Sequence, residues 1–352
     1  MSIPRWSFLK APLGMNRRNE LIREASSFRS LRLVKSKSQC KRILQEHGIA
    51  TSRTFDEVHD FSDMPRLASF PDEFVVKPDG GFGGKGIILL KRQDGHFVDP
   101  AGHAYSSKDL RWHIRKILDG DFSGYIAHDI ALIEERLYPS PKLQFKDAYG
   151  LSDIRVWCFQ FQPVMAMLRY PTFKSRGRAN LAAGGIGIGI DVATGRPTFI
   201  HTKGGLEFKP EGLGMPAAFV MPKWDEMKDI ARQCSQIADL RITGVDLILD
   251  AGDQVRVLEV NGRPGLEIQN INEDSLLERV LRERWVAAEE GQARRSGEHE
   301  PRSLGATVKP SPIEPFPALF DTARGAPLNA PQGVLWKEGT SEAPPSQSGP
   351  RD

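Results

Sequence analysis

The sequence predicts an α+β fold, and three observations carry the prediction. Short β-branched or aromatic runs bounded by Gly, Pro or Asp outnumber the helical patterns. Two strand pairs, joined across Phe161 to Val164 and Asp250 to Val255, are too close in sequence for a crossover and must be antiparallel hairpins. The helical patterns are few and scattered, whereas a doubly wound parallel sheet needs them to alternate with strands.

Taken in order, the first helix runs from Gln39 to His47, capped by Ser36 or Ser38 and stopped by Gly48. Strands follow at Glu73 to Lys77 and Gly86 to Lys91. A second helix, Lys108 to Leu118, is capped by Ser106 or Ser107 and closed by Gly120. Strands then read at Ile130 to Glu135, Ile154 to Phe161, Val164 to Tyr170 and Ile186 to Asp191. The third helix, Trp224 to Leu240, opens on Asp225 and Glu226, which suit the positive end of its dipole. Strands at Ile242 to Asp250 and Val255 to Val260 complete the pattern.

The 352 residues, 39% hydrophobic and 26% charged, divide into a basic, mainly helical segment (1–70), a folded body (71–288) and a tail (289–352). Ten of the 25 prolines fall between Pro301 and Pro350, and a composition this poor in apolar residues predicts disorder. The longest apolar runs are strand-sized, far short of the roughly 20 residues of a membrane span. The N-terminus lacks the apolar stretch of a signal peptide, and Cys40, Cys158 and Cys234 are too dispersed for a zinc site or a disulfide framework, so a cytoplasmic protein is expected. The net charge of +3 conceals an asymmetry: between Met1 and Arg53 twelve Lys or Arg stand against three Glu, leaving −6 for the rest. A solvated basic surface is the plainest reading of that arm.

The sharpest motif is the hairpin from Gly244 to Asn261. With Ala251 to Gln254 as a four-residue loop, Asp250 faces Val255, and the constant index sum of an antiparallel pair sets Asp246 opposite Glu259. Like charges directly opposed are destabilising, and these are flanked by Val, Leu and Ile. Asn261 lies at i+2 from Glu259 on the same face. Such an oxygen-only cluster suits a hard cation, with Mg²⁺ carrying phosphate oxygens the best candidate and Mn²⁺ a substitute.

Between Phe74 and Leu90 a strand ends in Lys77, five glycines follow from Gly80 to Gly86, and a second strand begins. Gly81, Gly83 and Gly84 let backbone N–H groups approach phosphate oxygens, while Lys77 and Lys85 bring positive charge. Because a strand follows, the segment is a flap and not a loop opening a helix. The apolar strand Ala131 to Leu137 ends in charge, Asp153 and Arg155 share a face at i and i+2, and Arg169 lies on the next strand. The basic stretch from Phe173 to Gly185 has neither helical nor strand periodicity and suits a loop closing over anions.

This order of elements resembles the ATP-grasp superfamily and, within it, alpha-L-glutamate ligase-like proteins related to ribosomal-protein glutamate ligases. The features shared are the Lys before a Gly-rich flap, Glu-Glu at a strand end, Asp-x-Arg, Asn-Leu-x-x-Gly-Gly, then Gly-Val-Asp and Glu-Val-Asn-x-x-Pro-Gly. The resemblance covers Lys35 to Glu278 and implies ATP sandwiched between two α+β subdomains. It implies Lys77, Lys85 and the flap glycines at the phosphates, Glu134, Glu135 and Leu137 at adenine, and Asp153 at the ribose. It further implies Arg178 and Asn180 near the γ-phosphate and acceptor, Arg155 and Arg169 as phosphate or substrate ligands, and Asp246, Glu259 and Asn261 around Mg²⁺.

The chain departs from that pattern in three ways. Its first 70 residues show no strand pattern where the family has a complete domain, Tyr138 to Gly150 lengthens one link, and the proline-rich tail has no counterpart. The expected activity is ATP-dependent carboxylate-amine ligation through an acyl phosphate, joining glutamate, another amino acid or another amine to an acceptor carboxylate. A phosphotransferase or a non-catalytic nucleotide-binding partner protein are the alternatives. The basic arm, standing where the missing domain would be, becomes a surface for an acidic protein partner or substrate, separable up to Phe28 without loss of ATP binding. Nucleic acid is not expected, and a homo-oligomer stays open.

Overall fold

Two six-stranded sheets, built wholly from antiparallel pairs, organise the computed structural model, which describes residues 11–64, 69–124, 128–146, 148–175, 177, 179–201 and 210–284. By its internal contacts the chain separates into Met1–Glu298 and His299–Asp352, and the whole of the second unit, like the whole of the tail expected from residue 289, lies outside the described residues.

Three helices come first: α1 (Met15–Ala25), α2 (Phe28–Lys35) and α3 (Lys37–Glu46). Ser27 caps α2 by accepting from the Ser30 N–H, and Ser36 caps α3 through Gln39. Strand β1 (Thr54–Val58) follows, inside the segment that reads as strandless in sequence. Only Val58 of that strand is buried, so it lacks the apolar alternation that would have revealed it. Then come β2 (Glu73–Pro78), β3 (Ile88–Gln93), β4 (His96–Val98), β5 (Ala104–Tyr105), α4 (Ser107–Leu118) and β6 (Ala131–Glu134). These strands form the first sheet in the order β1-β6-β2-β3-β4-β5. Helix α4, closed into a capping box by Ser106 and Asp109, covers one face with Leu110, Ile114 and Ile117 against Phe74, Val76 and Phe97.

The second sheet, in the order β10-β9-β8-β7-β11-β12, contains β7 (Asp153–Phe159), β8 (Gln162–Tyr170), β9 (Ile186–Ile190), β10 (Pro197–His201), β11 (Ile242–Leu249) and β12 (Val255–Asn261). The β7 to β8 turn takes Gln160 and Phe161 into positive φ, the conformation of a two-residue hairpin, so β7 ends two residues before the sequence suggests. On one face Ile154, Val156 and Val245 pack with α5 (Trp224–Ile237) and with Cys40 and Leu44 of α3. On the other, Trp157, Phe159, Met165 and Met167 meet Leu13, Leu21, Ile22 and Ile268, the last from α6 (Glu267–Asn272).

The basic arm is therefore no separable surface. Leu13, Leu21 and Ile22 are at most 3% exposed, and truncation to Phe28 would open this core. Among the described residues no helix is long and apolar enough to cross a membrane.

Candidate active site

The carboxylate hairpin shows how local irregularity builds a site. Asp246 does pair with Glu259, yet the index sum that predicts it does not hold along the whole ladder. Nearer the turn Leu249 pairs with Val255 and Leu247 with Val257, one residue out of step, and a bulge at Leu258 restores the register. The bulge reverses which face β12 presents. Val255 and Val257 point to the α5 side, whereas Glu259 and Asn261 turn to the face that carries Asp246, Arg155 and Arg169.

On that face Asp246 is saturated with donors. Arg155 grips it bidentately, Nε to Oδ1 and Nη2 to Oδ2 both at 2.7 Å, Arg169 Nη2 lies 2.8 Å from Oδ2, and Asn261 Nδ2 donates to Oδ2 at 3.3 Å. Arg169 also donates from Nε to Asp153 Oδ1 at 2.5 Å. Burial opposes the charge on Asp246, but the two guanidiniums outweigh it and hold its carboxyl below the ordinary value. Burial raises the Asp153 carboxyl against the pull of Arg169, and the nearby Asp246 charge adds to the rise. Asp153 is thus turned inward to Arg169, and the four groups form a closed network of two cations and two anions.

Among the described residues no group of three or more His, Cys, Asp or Glu is arranged to hold a metal ion. Glu259 and Asn261 nonetheless fit Mg²⁺. The Glu259 side chain is 34% exposed and stands 3.9 Å from the Lys37 ammonium, and Asn261 spends its amide nitrogen on Asp246. Two oxygen donors suit an ion that takes its other ligands from phosphate and water.

The first sheet supplies a second cluster on its face away from α4. Glu134 Oε2 lies 2.8 Å from Lys77 Nζ and accepts from Ser52 Oγ at 2.7 Å, while Oε1 lies 2.5 Å from Lys41 Nζ. Lys41 also donates to Ser52 Oγ at 3.0 Å and Thr54 Oγ1 at 3.1 Å. Burial raises the Glu134 carboxyl, but Lys77 and Lys41 outweigh it and leave the group below its usual range. Burial, with Lys77 adding to it, lowers the Lys41 ammonium to about 8. Glu135 is likewise engaged, its Oε2 accepting from the Arg53 N–H at 3.0 Å. Both carboxylates that the resemblance sends to adenine have partners within the protein, and Leu137 follows half-buried.

Lys37, one turn before Lys41, joins the two sheets. Its ammonium donates to the carbonyls of Asp79 at 2.9 Å and Gly81 at 2.5 Å at the root of the flap, and stands 3.9 Å from Glu259. Gly81 must be glycine, since a Cβ there would lie 2.2 Å from Pro78. Gly83 and Gly84 take positive φ at the tip, and Lys85 is exposed with its ammonium 5.3 Å from the Phe82 ring centroid. From the second sheet, Asn180 Nδ2 donates to the Gly83 carbonyl at 3.3 Å, so the basic loop and the flap meet. Arg178 lies outside the described residues.

Sequence reasoning missed Lys37 and Lys41 although a signal was present. Residues 37, 40, 41 and 44 fall on one helical face, and that face carries Cys40 and Leu44 beside the two lysines. Lysines inside an apolar stripe are not solvent decoration.

The family described as Sugar-transfer associated ATP-grasp matches residues 16–283. No curated protein matches the sequence. Among solved structures the chain is similar to the ATP-grasp ligase PsnB complexed with a phosphomimetic variant of its minimal precursor, Mg and ADP, at 15% identity and a TM-score of 0.40 over 72% of this chain and 57% of that one. It is similar to an L-amino acid ligase from Bacillus licheniformis at 17% identity and a TM-score of 0.40, over 71% of this chain and 46% of that one. It is also similar to D-alanine–D-alanine ligase from Bacillus anthracis, at 15% identity and a TM-score of 0.42, over 78% of this chain and 77% of that one. The chain thus spans little more than half the length of PsnB.

Proposed function

The chain belongs to the sugar-transfer associated ATP-grasp family, and from that premise we propose that it is an ATP-dependent carboxylate-amine ligase. The observation that carries the reading is the Lys37 bridge, whose ammonium holds the Asp79 and Gly81 carbonyls at the root of the flap and stands 3.9 Å from Glu259 on the other sheet. A cationic, glycine-lined mouth thereby faces an oxygen-only pair, the arrangement a nucleoside triphosphate with its metal requires.

In this reading a substrate carboxylate attacks the γ-phosphorus, the bond to the β,γ-bridging oxygen breaks, ADP leaves and an acyl phosphate forms. An amine, that of glutamate or another amino acid, then attacks the acyl carbon and expels phosphate to give an amide. Lys77, Lys37 and the flap N–H groups hold the phosphates and offset the charge that spreads over the transferred phosphoryl. Glu259 and Asn261 would hold Mg²⁺, which when bound would further neutralise the phosphate oxygens. Asn180 and the basic loop close over the reacting groups and exclude water, with Arg178 beside the γ-phosphate. Arg155 and Arg169, fixed by Asp246 and Asp153, border the acceptor. The base rests against the backbone from Glu135 to Leu137. The acceptor carboxylate is that of an amino acid, a peptide or a protein, and an acidic partner protein is assigned to the basic surface.

Phosphate release with pooled carboxylates and amines, followed by mass spectrometry, tests the reading. The expected product has the mass of acid plus amine less water, and Glu259→Gln lowers turnover by about 10²-fold. A phosphorylated product formed without amine would assign a phosphotransferase instead. Turnover no higher in the wild type than in Glu259→Gln, across the whole panel, would leave a non-catalytic nucleotide binder.

A further inference from the structure

Lys41 cannot be a nucleotide ligand by the usual criterion of a free donor. Its three ammonium protons are taken by Ser52, Thr54 and Glu134, and its side chain is 7% exposed. Burying a lysine this fully is costly, and a helix staple could be made from neutral groups. What the charge accomplishes follows from counting the cluster. Glu134 holds Lys77 at 2.8 Å and so fixes the ammonium at the root of the flap. Alone, that carboxylate would also cancel the charge it positions, leaving a neutral pair facing the phosphates. With Lys41 on the other carboxylate oxygen, two ammoniums share one carboxylate and the cluster keeps one positive charge. Lys77 is the more exposed of the two cations, so the surplus is presented there.

We infer that Lys41 is a positioning residue for nucleotide binding, which balances the buried Glu134 carboxylate so that Lys77 is oriented without being neutralised. The inference rests on the reading of Lys77 as a phosphate ligand, and it goes beyond that reading in giving a role to a residue that touches no substrate.

A staple role and a balancing role predict opposite outcomes in a double variant. The full-length protein is titrated with ATP and, separately, with adenosine, which shares the base and ribose but lacks phosphates. K41M should weaken ATP by about tenfold or more while adenosine changes by less than about twofold. K41M/E134Q, which removes the cation and the anion together, should bring ATP affinity back to within about threefold of wild type. Should K41M fail to fold, K41Q keeps donors for Ser52 and Thr54 and carries the same expectation. The inference is overturned if the double variant binds ATP no better than K41M, or if ATP and adenosine weaken together. Equal ATP affinity in wild type and K41M would overturn it alone, whereas a wild type that binds no ATP would overturn the nucleotide reading and this inference with it.

Discussion

The two buried charge clusters are built on opposite principles. On the second sheet Asp153, Arg169, Asp246 and Arg155 alternate in sign and close on themselves, with no net charge. On the first sheet Lys41, Glu134 and Lys77 carry one cation too many. Desolvation explains the contrast. A balanced network can be sealed in the core because each charge meets its partner, whereas an unbalanced one is tolerable only where the surplus reaches an edge that a counter-charge can occupy. Under the proposed function the closed cluster would serve as scaffold for Glu259 and Asn261, and the open one would attract anions.

Breaking the closed cluster should cost most. Asp246→Asn leaves Arg155 without its carboxylate partner and Arg169 with Asp153 alone, and urea unfolding should show a loss of about 3–5 kcal/mol, the range for removing one partner of a buried ion pair. A loss below about 1 kcal/mol would mean that water reaches the network and that it is not closed.

The open cluster should instead respond to pH. Lys41 titrates near 8 when folded and near the ordinary lysine value when unfolded, and the charges facing it are Lys77, Glu134 and Glu57. Above pH 8 the folded cluster loses its surplus charge, so ATP affinity should fall several-fold between about pH 7.5 and 9.5 and level off thereafter. The sign for stability is the reverse. Because the folded pKa is depressed, the unfolded chain holds more protons between about 8 and 10.5, and this group's contribution to folding rises with pH across that window. An ATP affinity flat through pH 8 would show that the surplus resides elsewhere.

The smallest effect belongs to the contact between the regions. Asn180→Ala removes the 3.3 Å bond to Gly83, exposed to water, and should raise the KM for ATP by only about two- to fivefold with thermal unfolding unchanged. A change of about 10²-fold would make the loop contact a catalytic element in its own right.

Much of this was legible in the amino-acid order. The flap between two strands, the Asp153 and Arg155 face, the helix from Lys108 and the opposition of Asp246 to Glu259 all follow from period-two alternation, turn chemistry and capping, which act over a few residues. The hairpin pairing nonetheless held for an incomplete reason, since a shorter turn and the bulge at Leu258 offset each other. Bulges have no strong sequence mark, because the extra residue is ordinary and only its pairing is irregular. Strand β1 escaped notice because an edge strand with one buried side chain needs no apolar alternation.

By itself, then, the sequence determined the α+β class, the succession of strands along the chain around the motifs and the chemistry of the residues they carry, since each of these depends on neighbours in the chain. Tertiary structure alone decided which charges are spare. Whether Arg169 is a ligand or an anchor depends on Asp246, 77 positions away, and whether Lys77 keeps its charge depends on Lys41 and Glu134, brought together from a helix and two strands. Electrostatic role is set by burial and by partners distant in sequence, and neither exists until the chain has folded.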